Sequence, residues 1–106
     1  MNEQVFNKLS DAGNDWADKK AAASVLESAT KAALSEAFLI ARKGGAAQEE
    51  AKHVAVCDLD YQQALRRQID AEKARDHARV KYDSAKAWLE MALDANATNR
   101  AEMKLR

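Results

Sequence analysis

Between Asp58 and Arg106 the chain runs for close to fifty residues without Gly or Pro, and Ala, Arg, Lys, Glu and Leu dominate the stretch. These residues lose little conformational freedom in a helix, and only a helix uses such a composition at that length. A continuous helix there would be roughly 70 Å long at about 1.5 Å per residue. A small core cannot enclose such a rod, so something must lie alongside it.

The apolar positions of the rod predict a thin seam. Tyr61, Leu65 and Ile69 lead into Ala71, Ala74 and Ala78, and then into Tyr82, Ala85, Leu89 and Ala92, with Trp88 on the flank of that last cluster. Asn96 and Asn99 continue the line as polar residues and Met103 lies beyond, so the last two turns should fray or wait for a partner. Asp58 is the expected cap of this helix over about 58–104, and Asp60 places a carboxylate in the first turn, where the helix dipole favours it.

The partner strand of the rod precedes it. From about Asn2, whose side chain can cap, to Lys43 the sequence reads as a second helix. Leu9, Ala12, Trp16, Ala23, Leu26, Ala33, Ala37 and Ile40 follow alternating three- and four-residue steps, interrupted at Lys19 and Thr30. Asp15 to Lys19 and Glu27 to Lys31 are ion pairs at the favourable four-residue spacing. Gly13 falls inside the pattern. Either it is a helical glycine that costs about 1 kcal/mol relative to Ala, or it is a break recapped by Asn14 or Asp15. The phase kept from Leu9 through Trp16 favours continuity.

Gly44-Gly45 is the expected reversal point. Arg42 and Lys43 suit the end of a helix, and Gly44 is the expected left-handed terminator. A short helix over about 46–56 follows, and Cys57 to Asp60 interrupts the pattern before the long helix starts. The expected fold is all-α: one domain forming a long antiparallel, coiled-coil-like helical hairpin with a short connecting helix. The hydrophobic fraction is 47%, but 24 of those residues are Ala and six are aromatic. Such seams bury little area at about 25 cal/mol per Å², so a homodimer or a bound target is expected to supplement them.

Catalytic chemistry is hard to find. His53 and His77 lie in different helices, and Glu49 with His53 is a lone carboxylate–imidazole pair more simply read as a solvated face. Cys57 has no second cysteine, fits a reducing compartment, and is expected to be a buried or half-buried thiol at a helix junction. No nucleophile triad, phosphate loop or ligand spacing appears, so a non-enzyme without cofactor or metal is expected. The start of the sequence shows no signal-peptide pattern, and the longest apolar run is Ala37 to Ala41, which leads to a soluble, cytoplasmic protein as the expectation.

Binding surfaces are better marked. Arg66, Arg67, Lys73, Arg75, Arg79, Lys81 and Lys86 form a basic tract, relieved by Asp70, Glu72, Asp76 and Asp83. Arg75, Arg79 and Lys86 fall near one face, where a phosphate backbone could be touched, although Glu72 with Arg75 and Asp76 with Arg79 can pair locally. Overall charge argues against a dedicated nucleic-acid binder and against a DNA mimic, since 17 basic residues balance 17 acidic ones. Trp16 is expected in the core. Trp88, beside the seam position held by Leu89, is a candidate anchor for a partner protein, with Met91 and Met103.

Two C-terminal tracts carry a resemblance. Val80-Lys81-Tyr82-Asp83-Ser84-Ala85-Lys86-Ala87-Trp88-Leu89-Glu90 and Thr98-Asn99-Arg100-Ala101-Glu102-Met103 resemble small helical proteins of unassigned function encoded by tailed phages and prophages, often among early or recombination genes. Ala12-Gly13 with Trp16-Ala17, and Asp58 to Tyr61, are similar as well, while Met91 to Ala97 replaces a run that is charged in that family. The resemblance implies a phage setting in a bacterial host and no catalytic motif. The leading expectation is therefore an inhibitor or adaptor that binds a nuclease, a recombination enzyme or a CRISPR effector. The rival is an accessory DNA- or RNA-binding protein using Arg66 to Lys86, and a third class is a coiled-coil spacer.

Overall fold

The computed structural model describes residues 2–105, with the side chains of 3–104. It is an all-α helical hairpin in which 94% of the described residues are helical. α1 spans Asn2–Lys43, α2 spans Gln48–Val56 and α3 spans Leu59–Leu105. The capping expected of Asn2 concerns a side chain outside the described residues.

Helix boundaries follow local chemistry. Asp58 caps α3: its Oδ2 accepts the Tyr61 amide at 3.0 Å, satisfying one of the orphan donors of the first turn. α1 ends at the glycine pair, but Gly45 rather than Gly44 is the left-handed residue, at φ 99°. The Ala46 amide reaches back to the Ala41 carbonyl at 3.1 Å and the Gly45 amide to Arg42 at 3.1 Å, the paired bonds of a Schellman closure. Gly44 still donates in the helical manner, to Ile40 at 3.0 Å, so the expectation that it terminates the helix is corrected by one residue. α2 starts two residues later than expected, after an extended Ala47 that provides no side-chain cap.

Contacts divide the chain into two compact units, Met1–Asp18 with Asp76–Arg106, and Lys19–Arg75. In the first unit α1 and α3 run antiparallel. Gly13 and Trp16 meet Tyr82, while the earlier residues Val5 and Lys8 line one groove with the later residues Ala85 and Trp88. α1 passes Gly13 without a break. A Cβ at this position would lie 3.3 Å from Cε2 of Tyr82, so the missing side chain is the space that the ring occupies. Trp16 stacks on the same ring at 5.3 Å between centroids and 31° between planes, half-buried rather than enclosed.

The second unit is built on alanine. Ala23, Ala37, Ala51 and Ala55 are buried, and Thr30 is buried among them. Its hydroxyl lies 2.8 Å from the Leu26 carbonyl and 3.2 Å from the Ala64 carbonyl of α3, so the polar group is satisfied within the seam. Thr30 therefore continues the three-and-four stepping that it was expected to interrupt. Three apolar expectations also fail here. Ile40 is exposed while Leu34 and Phe38 are half-buried, and on α3 Ala74 is exposed while Gln68, Glu72 and Arg75 are half-buried. Gln68 Nε2 donates to Glu72 Oε1 at 2.8 Å, which lets two polar heads pair while their stems cover the seam. Ile69, expected in the seam, is exposed as well.

Candidate partner-binding surface

The first unit presents the residues expected to meet a partner. Trp88 is 70% exposed, Met91 is 66% exposed and Met103 is 77% exposed. Leu89, one residue after Trp88, is half-buried with Tyr82, Ala85 and Ala92. The separation is geometric: Tyr82, Ala85, Leu89 and Ala92 keep the seam phase, and a residue beside Leu89 is rotated by about 100° from it. Trp88 does not stand alone, because Val5, Lys8 and Ala85 join it around an open groove of about 310 Å³. Met91 lies one turn beyond Trp88 on the same side of α3, whereas Met103 is about 18 Å further along the helix at 1.5 Å per residue. Residues 93–104 are exposed throughout, and α3 remains helical to Leu105.

An indole with most of its surface in water costs free energy in the isolated chain, and it covers a large area when a partner docks. The neighbouring Lys8 adds a cation at the groove, so the site suits an apolar side chain flanked by a carboxylate or a carbonyl.

The basic tract is distributed differently. Arg66, Arg67, Lys73, Arg79, Lys81 and Lys86 are exposed, whereas Arg75 is half-buried. The face proposed from Arg75, Arg79 and Lys86 thus contains one residue that takes part in packing. Arg79 Nε lies 3.9 Å from Asp83, a loose exposed pair, and Lys31 pairs with Glu27 at 3.4 Å as its spacing predicts. Pairs of this kind contribute little stability and leave the surface solvated.

Among the described residues no three His, Cys, Asp or Glu side chains come together in a way that could hold a metal ion. His53 and His77 are exposed, and Glu49 pairs with Lys52 at 3.5 Å. Cys57 is also exposed, at the C-terminal cap of α2, which corrects the expectation of a buried thiol. The short turn there leaves the side chain no seam to enter. Among the described residues no helix is long and apolar enough to cross a membrane.

No protein-family profile matches the chain, and no curated protein or solved structure matches it significantly.

Proposed function

We propose that the protein is a non-enzymatic binding protein of phage or prophage origin that docks on a protein of DNA metabolism or host defence, as inhibitor or adaptor. The observation that carries this reading is Trp88, held 70% exposed beside the Val5, Lys8 and Ala85 groove. Two further points support it. The balanced charge of the chain offers no strong field to a polyanion. The tract that holds Trp88 is also one of the two that resemble the phage proteins, and that setting makes a nuclease, a recombination enzyme or a CRISPR effector the target class.

The exposure of six basic residues between Arg66 and Lys86 favours one rival, direct contact with DNA or RNA. A single experiment separates the two. Tagged full-length protein is expressed in a bacterial host and purified at moderate salt, beside Trp88→Ala and beside Arg79→Glu/Lys81→Glu/Lys86→Glu. A protein target should be captured by the wild type and by the triple variant. Its affinity for Trp88→Ala should fall by about thirtyfold, the equivalent of a hot spot of roughly 2 kcal/mol. Full binding by Trp88→Ala, beside a triple variant that loses a steeply salt-dependent affinity for nucleic acid, would instead establish the rival.

A further inference from the structure

Within the first unit, the last turns of α3 carry a face that no other helix covers. Residues 93–104 are exposed throughout, and Glu90 just before them is exposed as well. At about 100° per residue, Glu90, Leu93, Ala97, Ala101 and Lys104 fall on one stripe roughly 80° wide. Leu93 is 53% exposed, an apolar side chain standing in water at the first turn of this segment. The weak helix formers of the same turns, Asn96, Thr98 and Asn99, all fall outside the stripe. Trp88 lies on the opposite side of α3, and Met91 and Met103 are each about 120° from the centre of the stripe.

The pattern of the stripe names its occupant. From Glu90 the steps are three, four, four and three residues, so the spacing is the same in both directions about Ala97. An acid stands at one end and a base at the other. Laid against itself in reverse, the stripe sets Glu90 beside Lys104 of the second copy at both ends. Leu93 then faces Ala101, large against small, and Ala97 faces Ala97, which lets two helices approach to about 8 Å. A parallel alignment would instead oppose Glu90 to Glu90 and Lys104 to Lys104, and sliding the antiparallel one by a turn separates Glu90 from Lys104. A face on which residue i meets j while j meets i is complementary to its own copy, and that is the geometry of a two-fold contact.

We propose that the C-terminal turns of α3 pair antiparallel with those of a second copy of this chain, with Ala97 on the two-fold axis and Glu90 and Lys104 pairing at each end. The overlap is short, about 22 Å over 90–104, and buries less than the roughly 800 Å² per partner of a standard interface. The pairing therefore belongs to the micromolar range, and it leaves Trp88 open to a different partner.

The test is sedimentation equilibrium of the full-length protein from micromolar to about millimolar concentration. Wild type should move from the chain mass of 11.7 kDa towards twice that value, and Trp88→Ala should do the same. Lys104→Glu sets like charges against each other at both ends and should weaken the dimer by about tenfold or more. Glu90→Lys/Lys104→Glu exchanges the two charges and should restore it, which an antiparallel contact allows and a parallel one does not. All four positions of helicity that matter are on an exposed face, so circular dichroism should be the same for every variant. A second measurement is independent of charge: Ala97→Cys in a Cys57→Ser background should be captured as a dimer by a short bis-maleimide, and Ala95→Cys, on the far side of α3, should not. A wild type that stays monomeric at every concentration overturns the proposal. So does a dimer that Lys104→Glu leaves intact, that the charge exchange fails to restore, that Trp88→Ala abolishes, or that cross-links equally through residues 95 and 97.

Discussion

Gly13 offers the sharpest test of how the two long helices meet in the first unit. In a solvated helix, replacing Gly by Ala stabilises by about 1 kcal/mol, because the unfolded chain has less freedom to lose. Here the added methyl would stand 3.3 Å from Cε2 and 3.5 Å from Cδ2 of Tyr82. Comfortable carbon contacts lie near 3.5–4.0 Å, so the ring must retreat by a few tenths of an ångström. The ring is half-buried, which allows that movement, but it is stacked on Trp16 with centroids 5.3 Å apart. An aromatic pair of this kind contributes about 0.5–1.5 kcal/mol, part of which is lost when the ring shifts. Gly13→Ala alone should therefore gain less than about 0.5 kcal/mol, whereas Gly13→Ala in a Tyr82→Ala background should recover the full gain of about 1 kcal/mol. Urea unfolding of the four proteins at one fixed protein concentration measures the difference, with near-ultraviolet circular dichroism reporting the Trp16–Tyr82 pair. An equal gain of about 1 kcal/mol in both backgrounds would refute the argument that Gly13 exists to admit the Tyr82 ring.

Three further substitutions probe the second unit. Gly45→Ala should destabilise by about 1–2 kcal/mol, since φ 99° lies where a Cβ is strained, while Gly44→Ala should change stability by less than about 0.5 kcal/mol. Equal effects in thermal unfolding would contradict the closure at Gly45. Ala51 has no exposed surface, so Ala51→Leu should cost about 1–3 kcal/mol by overpacking or displace α2. A neutral melting temperature for that variant would mean that α2 is not held against the unit as described.

The sequence alone determined the helices. The run after Asp58 without Gly or Pro, the carboxylate that caps it and the glycine pair before it are local chemistry, and local chemistry is written in consecutive residues. The exposed tryptophan was legible too, because Leu89 occupied the seam phase next to it. What only tertiary structure decided is which face of each rod turns inward. An Ala-rich helix has nearly equal claims on several faces, since the difference between burying Ala74 and burying the stems of Gln68 and Glu72 is small. The opposing helix breaks that tie by register: Thr30 near the carbonyl of Ala64 draws a polar residue inward where hydropathy would leave it out. The choice of Gly45 over Gly44 is local instead, set by the backbone closure of α1. Both glycines can adopt a positive φ, and the choice falls to the one at which the Ala41 carbonyl finds its last amide.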